Sequence, residues 1–399
     1  MVPKHYDPKP VPTGWRALRK DRALRHLSSA CLPLRQRAGE CLSCRAACPV
    51  DALLMTDEGL ALHADCLGCG RCAPACPMGA LALPDLLPAI TTDAASVLRV
   101  DCQRVPAALR AEASVPCLGA LDTAALLELR AQAGARPIEL ADRGWCGNCQ
   151  AGGVVHPAQA ALKSAQALLA EMQVPSALWP RLVKMLLPAS AASPGIAGVG
   201  DEEAMSRRAF FGRVTRPIRQ LAVEPAPDSP IRSLTAAAAH PSLSRQRLVT
   251  SLSALAAQHD QPVPASFYPR ITASAHCHDH QGCVRVCPSG ALRAYRKGDA
   301  GGVCFDPAAC IACGLCERHC PERALTVSAA GAAHPADAVH AMGFAQETEL
   351  TRHAQLECSA CGSAYGVSHG EADGGLCDPC SKSRRLAHDM FQQFFGAHP

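Results

Sequence analysis

The sequence predicts a multidomain α+β chain. It comprises two pseudo-symmetric cysteine modules, a middle α/β domain with a short parallel sheet, and a small four-cysteine ribbon at the C-terminus. Three observations carry this. The 399 residues include 24 cysteines, most of them in tetrads spaced two or three residues apart. Two cysteine blocks repeat each other, and each contains an inner repeat. Between them, strand-like and helix-like segments alternate, the pattern of a parallel sheet. At roughly 150 residues per domain the length suits two to four domains. Aromatic residues make up 4%, so large aromatic cores are excluded and cysteine-bound metal is the obvious other source of stability.

Composition also bounds location and partners. An even cysteine count suits secreted disulfides, but cysteines this close in sequence suit a shared metal better than a mutual bridge. The first 30 residues are basic and Pro-rich without an apolar core segment, which argues against a secretory signal. No apolar run is long enough to span a membrane. The expectation is a reducing, cytoplasmic setting with free thiols. The formal charge of +4 is too small to imply nucleic-acid binding by itself.

Along the chain, residues 1–30 read as a basic arm, extended through Pro3, Pro8, Pro10 and Pro12 and then helical from Trp15 to Leu27. Nine Lys/Arg against two Asp in residues 1–37 make a solvated face or a dock for an acidic partner. Residues 31–90 form the first cysteine module and 94–186 the α/β domain. Residues 187–270 read as a linker with helices near Glu202–Val214 and Ser242–Gln258. Residues 271–330 form the second module, and 331–399 an Ala/His-rich connector with the ribbon. The blocks read CPVDAL then CLGCGRCAPACPMGAL, and CPSGAL then CIACGLCERHCPERAL, so CP-x-x-AL occurs twice in each.

Cys66, Cys69, Cys72 and Cys76-Pro77 follow C-x2-C-x2-C-x3-C-P, as do Cys310, Cys313, Cys316 and Cys320-Pro321. Three cysteines at two-residue gaps wrap one cubane in a tight loop. The fourth, before a Pro that turns the chain away, reaches a second cluster. Gly70 and Gly314 permit the close backbone approach such a loop needs. These two blocks resemble bacterial-type ferredoxins with two [4Fe–4S] clusters, over residues 31–84 and 277–327. The resemblance implies that Cys66, Cys69 and Cys72 share a cluster with Cys48, and that Cys310, Cys313 and Cys316 share one with Cys287.

Each partner motif departs from that pattern. In the first module Cys41, Cys44 and Cys48-Pro49 fit, but Ala38 stands at the first ligand position. Cys31 replaces it if residues 32–40 loop out, or else is an unrelated buried thiol. In the second module Cys277, Cys283 and Cys287-Pro288 fit, but His280 stands at the second position. Three arrangements compete there: imidazole ligation, a [3Fe–4S] cluster, or Cys304 filling in. The likelier role of Cys304, in a strand-like VCF segment, is a packed thiol.

In residues 94–186, strands read at 96–101, 113–116 and 136–141, and helices at 122–133, with Asp122 as N-cap, and 157–172. Cys102, Cys117, Cys146 and Cys149 then fall just beyond the strands' carboxyl ends, on the sheet edge where ligands gather. The pattern VDC…VPCLG…GWCGNC over residues 98–175 resembles the delta subunit of methyl-viologen-reducing hydrogenase, with altered spacing. The resemblance implies a [2Fe–2S] cluster. Zinc, a redox disulfide of Cys146 with Cys149 and plain structural thiols are the alternatives.

Cys358-x2-Cys361 and Cys377-x2-Cys380 match a zinc-ribbon-like pair of knuckles, a tetrahedral four-sulfur site. A rubredoxin-like iron centre uses the same ligands. Ser206-Arg207-Arg208-Ala209-Phe210-Phe211 looks like an export motif but lies mid-chain with no apolar stretch after it, and reads as an amphipathic helix. The Gly-rich stretch at Gly195–Gly200 matches no nucleotide fingerprint.

The sequence therefore points to an iron–sulfur electron-transfer protein, polyferredoxin-like, relaying single electrons to or from a partner oxidoreductase that supplies the chemistry. The expected cofactors are about three to four [4Fe–4S] clusters, a [2Fe–2S] cluster and zinc. A maturation or scaffold factor for a metalloenzyme and a redox sensor that binds nucleic acid are the alternatives.

Overall fold

The computed structural model describes residues 15–18, 23–35, 41–56, 59–88, 90, 97–186, 240–328, 347–367 and 375–396. The Pro-rich start of the arm, the helix expected near Glu202–Val214 with its Ser206–Phe211 motif, the Gly195–Gly200 stretch and residues 331–346 of the 331–357 connector lie outside these residues. Among the described residues, no helix is long and apolar enough to cross a membrane.

In the N-terminal part, β1 (Trp15–Ala17) and β2 (Arg25–Leu27) lead into two short helices, α1 (Leu32–Arg35) and α2 (Ser43–Ala46). Next come β3 (Leu53–Thr56), β4 (Gly59–Leu62) and β5 (Leu81–Ala82). Strands β3 and β4 form a hairpin between the two cysteine motifs, from Leu53↔Leu62 to Thr56↔Gly59. Strand β2 pairs antiparallel with β5 around them. The basic helix expected over Trp15–Leu27 is not what forms: the described parts of that segment are β1 and β2, paired antiparallel. The physical reason is tertiary. Leu24 and Leu27 are buried with Leu53, Leu60 and Leu81 or beside Ala30 and Ala80, and the Leu27 amide donates to the Ala80 carbonyl at 2.9 Å. Sheet pairing to the end of the module outweighs a weak local helix preference, so the module reaches back to Arg25.

That pairing buries His26 completely, with Nε2 unpartnered. Burial, and then the Arg16 charge, lower its pKa to about 4. The unfolded chain takes up a proton near 6.5 and the folded chain only near 4. The stability held above pH 6.5 is therefore lost as the pH falls through 4. His26→Leu should flatten this part of the acid dependence. The check is the difference in unfolding midpoint between variant and parent from pH 6.5 down to 4.5, which stays constant if His26 contributes nothing.

The middle region holds β6 (Leu98–Cys102), β7 (Ala113–Val115), α3 (Thr123–Ala133), β8 (Ile138–Asp142), α4 (Gln159–Glu171) and β9 (Arg181–Lys184). The four strands form an all-parallel sheet in the order β7-β6-β8-β9. Val100, Val115, Ile138 and Leu140 meet Leu126, Leu127 and Leu129 of α3 and Leu162 and Leu169 of α4 in one core. Asp122 caps α3 as expected, accepting from the Ala125 amide at 2.6 Å.

Helix α5 (Leu243–His259) is capped by Ser242. It is no free linker, because Leu252 and Leu255 are fully buried in the middle core. Its Ser/Ala-rich surface hides the apolar edge from a periodicity reading, since small residues bury without standing out.

The second module repeats the first: β10 (Arg270–Ala273), α6 (Gly282–Val286), β11 (Leu292–Lys297), β12 (Ala300–Phe305), α7 (Leu315–Arg318) and β13 (Leu325–Ser328). Strands β11 and β12 form the inner hairpin, and β10 pairs antiparallel with β13 around it. The last elements are β14 (Thr348–Glu349), β15 (His353–Glu357), β16 (Ala364–Val367) and α8 (Asp378–Phe395). Strands β14 and β15 both pair with β12, so the ribbon hairpin β15–β16 extends the second module's sheet.

The CP-x-x-AL repeat explains the duplicated architecture locally. In all four copies the residue before Ala has a left-handed backbone: Asp51, Gly79, Gly290 and Arg323. The Ala is buried (Ala52, Ala80, Ala291, Ala324), and the buried Leu opens a strand (β3, β5, β11, β13). In three copies the Ala amide points back at the cysteine sulfur: Ala52 to Cys48 at 3.2 Å, Ala80 to Cys76 at 3.2 Å and Ala324 to Cys320 at 3.3 Å.

Candidate metal centres

The thiols gather in sets. Cys31, Cys41, Cys44 and Cys76 form the first. Burial pushes the Cys31 and Cys44 thiols up to about 11, and the other thiols of the set add to it. The Cys31 thiol thus lies near enough to Cys76, Cys44 and Cys41 to be affected by them, with α1 and residues 36–40 between it and Cys41 in sequence. Cys48, Cys66, Cys69 and Cys72 form the second. Burial and then Cys69, Cys66, Cys44 and Cys48 raise Cys72 far above the ordinary thiol range; burial, Cys48 and Cys66 raise Cys69.

Cys102 is the last residue of β6, and Cys117, Cys146 and Cys149 follow β7 and β8. The four lie near enough to affect one another's thiols, at the edge where the parallel topology brings the strands' carboxyl ends. Only Cys102 sits within its strand rather than after it. Burial pushes Cys117 up to about 12, helped by Cys102, Cys69 and Cys146. It pushes Cys146 up to about 11, helped by Asp142, Cys102 and Cys149. A buried ion pair braces this edge. Arg143 Nη2 donates to Asp101 Oδ2 at 2.6 Å, and Asp101 Oδ1 accepts from the Cys102 amide at 2.9 Å. Sequence reasoning missed Asp101 and Arg143; the VDC tripeptide was their signal.

In the second module Cys287, Cys310, Cys313 and Cys316 line a small pocket walled by Ile271 and Leu292. Burial, Cys313, Cys287 and Cys310 push Cys316 up to about 12. Cys277, Cys283 and Cys320 line another, partly open to solvent, together with Asp279, His280 and Thr351. Burial, Cys277 and Cys320 push Cys283 up to about 11. Cys304 is not in this set. Side chains alternate along a strand, and Val303 faces the cavity, which turns Cys304 to the other face. There its Sγ meets Glu347 Oε1 at 2.6 Å and the Arg293 carbonyl at 3.3 Å.

In the ribbon, the Sγ atoms of Cys358, Cys361, Cys377 and Cys380 all lie within 4.8 Å of one another. Cys361 and Cys377 are 3.7 Å apart, close to the edge of about 3.8 Å that a tetrahedron with Zn–S near 2.3 Å requires. The Cys377 amide pulls the Cys358 thiol down to about 6, whereas Cys377 and Cys361 hold Cys380 up at about 12. This is a metal-binding cysteine cluster.

These surroundings fit metal-bound thiolates. Desolvated thiols pressed together are stable only as neutral groups or around a cation. Amides aimed at sulfur, including Gly68 to Cys66 and Ala312 to Cys310 at 3.4 Å each, stabilise the charged form that ligates iron.

Residues 303–326, which carry Cys310, Cys313, Cys316 and Cys320, match the family model of the 4Fe-4S binding domain. The chain therefore contains a segment similar to 4Fe-4S binding domains, and a 4Fe-4S cluster is the cofactor that this match implies. No curated protein matches the chain.

Proposed function

We propose that the chain is a polyferredoxin-like electron relay. It holds four cubane sites in two ferredoxin-like modules, a [2Fe–2S] site in the middle domain and a zinc ribbon, and it passes single electrons to or from a partner oxidoreductase. The thiols named above are the ligands, with Cys31 in place of Ala38. Each cubane takes up and gives back one electron at a potential set by burial and by the amides on its sulfurs.

The observation that supports a relay best is that neighbouring sets are joined through short contacts. Cys69 packs with Cys117 and Ala151 in one small cluster. Across the same junction Arg71 Nη1 donates to the Ala151 and Gly152 carbonyls at 2.8 and 2.9 Å. At the other junction, the first turn of α5 spans both modules. Leu243, like Cys31 and Cys76, packs against Leu27, Ala30 and Ala80, and Ser244 Oγ donates to the Cys76 carbonyl at 3.1 Å. Arg245, buried beside Cys310, donates to the Ala308 and Pro307 carbonyls. Arg35 also reaches the Pro288 carbonyl at 3.1 Å, next to Cys287. The proposed order of centres is therefore middle domain, Cys48 set, Cys31 set, Cys310 set, Cys277 set.

Protein purified without oxygen should contain about 18 irons, with matching sulfide, and about one zinc per chain. It should be reduced and reoxidised reversibly, with EPR signals of interacting clusters. Iron-free, colourless, folded protein would overturn this reading. Net loss of iron to an apo-acceptor without reversible reduction would favour the maturation role instead.

A further inference from the structure

We propose that the carboxylate of Asp279, not the imidazole of His280, is the fourth protein ligand at the Cys277–Cys283–Cys320 site, and that the ribbon hairpin holds it there. This rests on the reading of that site as an iron–sulfur centre. Asp279 lines the same cavity as the three thiols. It is 8% exposed, and its Oδ1 is buried without a hydrogen-bond partner. Its other oxygen is engaged: Oδ2 accepts from Gln355 Nε2 of β15 at 3.1 Å and from Gln281 Nε2 at 3.5 Å.

A buried carboxylate with one idle oxygen is costly. Here it lines one cavity with the Cys277, Cys283 and Cys320 thiols. Anionic groups crowded in this way need a cation, and an iron facing the idle oxygen supplies one. One oxygen is fixed by an amide and the other is left free, as in a metal-bound carboxylate whose orientation is set from behind.

The ribbon is shaped to do this. A Cβ on Gly366 of β16 would lie 2.5 Å from Asp279 Oδ2 and 2.6 Å from its Cβ. Only glycine lets the hairpin close over the carboxylate. His280 also borders the cavity, but its Nε2 lies 4.0 Å from Asp378 Oδ2 at the start of α8, and its ring lies against His278.

The test compares four variants by iron content and EPR after anaerobic purification. Cys283→Ala should lose the whole centre, about four irons; an unchanged count would overturn the cluster reading itself. With that loss established, Asp279→Asn should lose about one iron and show a three-iron signal. Asp279→Cys should keep the full count with an altered reduced spectrum. His280→Ala should match the parent in both. An Asp279→Asn protein with the parent's iron and spectrum, or the one-iron loss appearing in His280→Ala, would overturn the assignment.

Discussion

Cys69→Ala should leave a chain that has lost about four of its roughly 18 irons and whose middle domain is cut off from the rest. The first effect follows from position. Cys69 is the buried thiol of the Cys48 set, and its loss removes one corner's ligand from a cubane. The second follows from contact. Cys69 packs with Cys117 and Ala151, so in the proposed order the Cys48 set is the one through which electrons would reach Cys102, Cys117, Cys146 and Cys149. Rapid reduction followed by freeze-quench EPR should show the middle-domain signal appearing much more slowly than in the parent, with its iron still in place. An unchanged iron count contradicts the ligand assignment. A lost cubane with unchanged filling of the middle centre contradicts the order of the relay.

How much of this was legible in the sequence depends on what each feature is made of. The cysteine spacing is local, so the sets around Cys66–Cys76 and Cys310–Cys320 could be read directly. The duplicated CP-x-x-AL turned out to be a complete local instruction: a Pro, a left-handed turn residue, a buried Ala whose amide faces sulfur, and a Leu that begins a strand. The parallel sheet followed from alternation, and convergence of Cys102, Cys117, Cys146 and Cys149 followed from the sheet.

What could not be read depends on distant contacts. Nothing near Arg25–Leu27 announces that it pairs with Leu81 and Ala82, so its basic residues looked helical. Helix α5 enters the middle core through two leucines among serines and alanines. The ribbon's strands join β12 by backbone hydrogen bonds, which leave no pattern in side chains. Asp279 sits between two histidines that draw attention by chemistry. Its role emerges only from Gln355 and Gly366, more than 70 residues later in the sequence.

Electrostatics links these contacts. The apo chain carries +4, but each [4Fe–4S] core with four thiolates adds about −2. Loading the proposed centres would make the chain net negative. The arginines beside the sets then have a reason for their burial. Arg245 is desolvated enough that its pKa falls to about 10, a cost that the Cys310 thiolate beside it offsets. It also lies over the Phe267 ring at 3.7 Å. Arg71 and Arg104 reach carbonyls around the Cys69–Cys117 junction and place positive charge there.

Removing the ribbon's metal should have the other large effect, because there the metal and the local fold are one equilibrium. A structural four-thiolate zinc contributes on the order of 10–16 kcal/mol of binding free energy at neutral pH, more than a small hairpin can supply from its own apolar contacts. Without the ion, a thiol pulled down to about 6 at Cys358 stands beside one held up at about 12 at Cys380. Zinc binding therefore expels protons, and affinity should weaken steadily as the pH is lowered. Cys358→Ser, or a strong chelator, should release about one zinc per chain and open the amides of β15 and β16 to hydrogen exchange. Since β15 carries Gln355, which fixes Asp279, the same treatment should also loosen the Cys277 centre and bring out its three-iron signal. Among the described residues, no hydrogen bond of this kind joins the hairpin to the other three proposed cubane sites, and these should keep their spectra. A Cys358→Ser chain that keeps its zinc and its exchange protection would show that the hairpin stands without the ion. One that loses zinc but leaves the Cys277 centre untouched would uncouple the ribbon from Asp279.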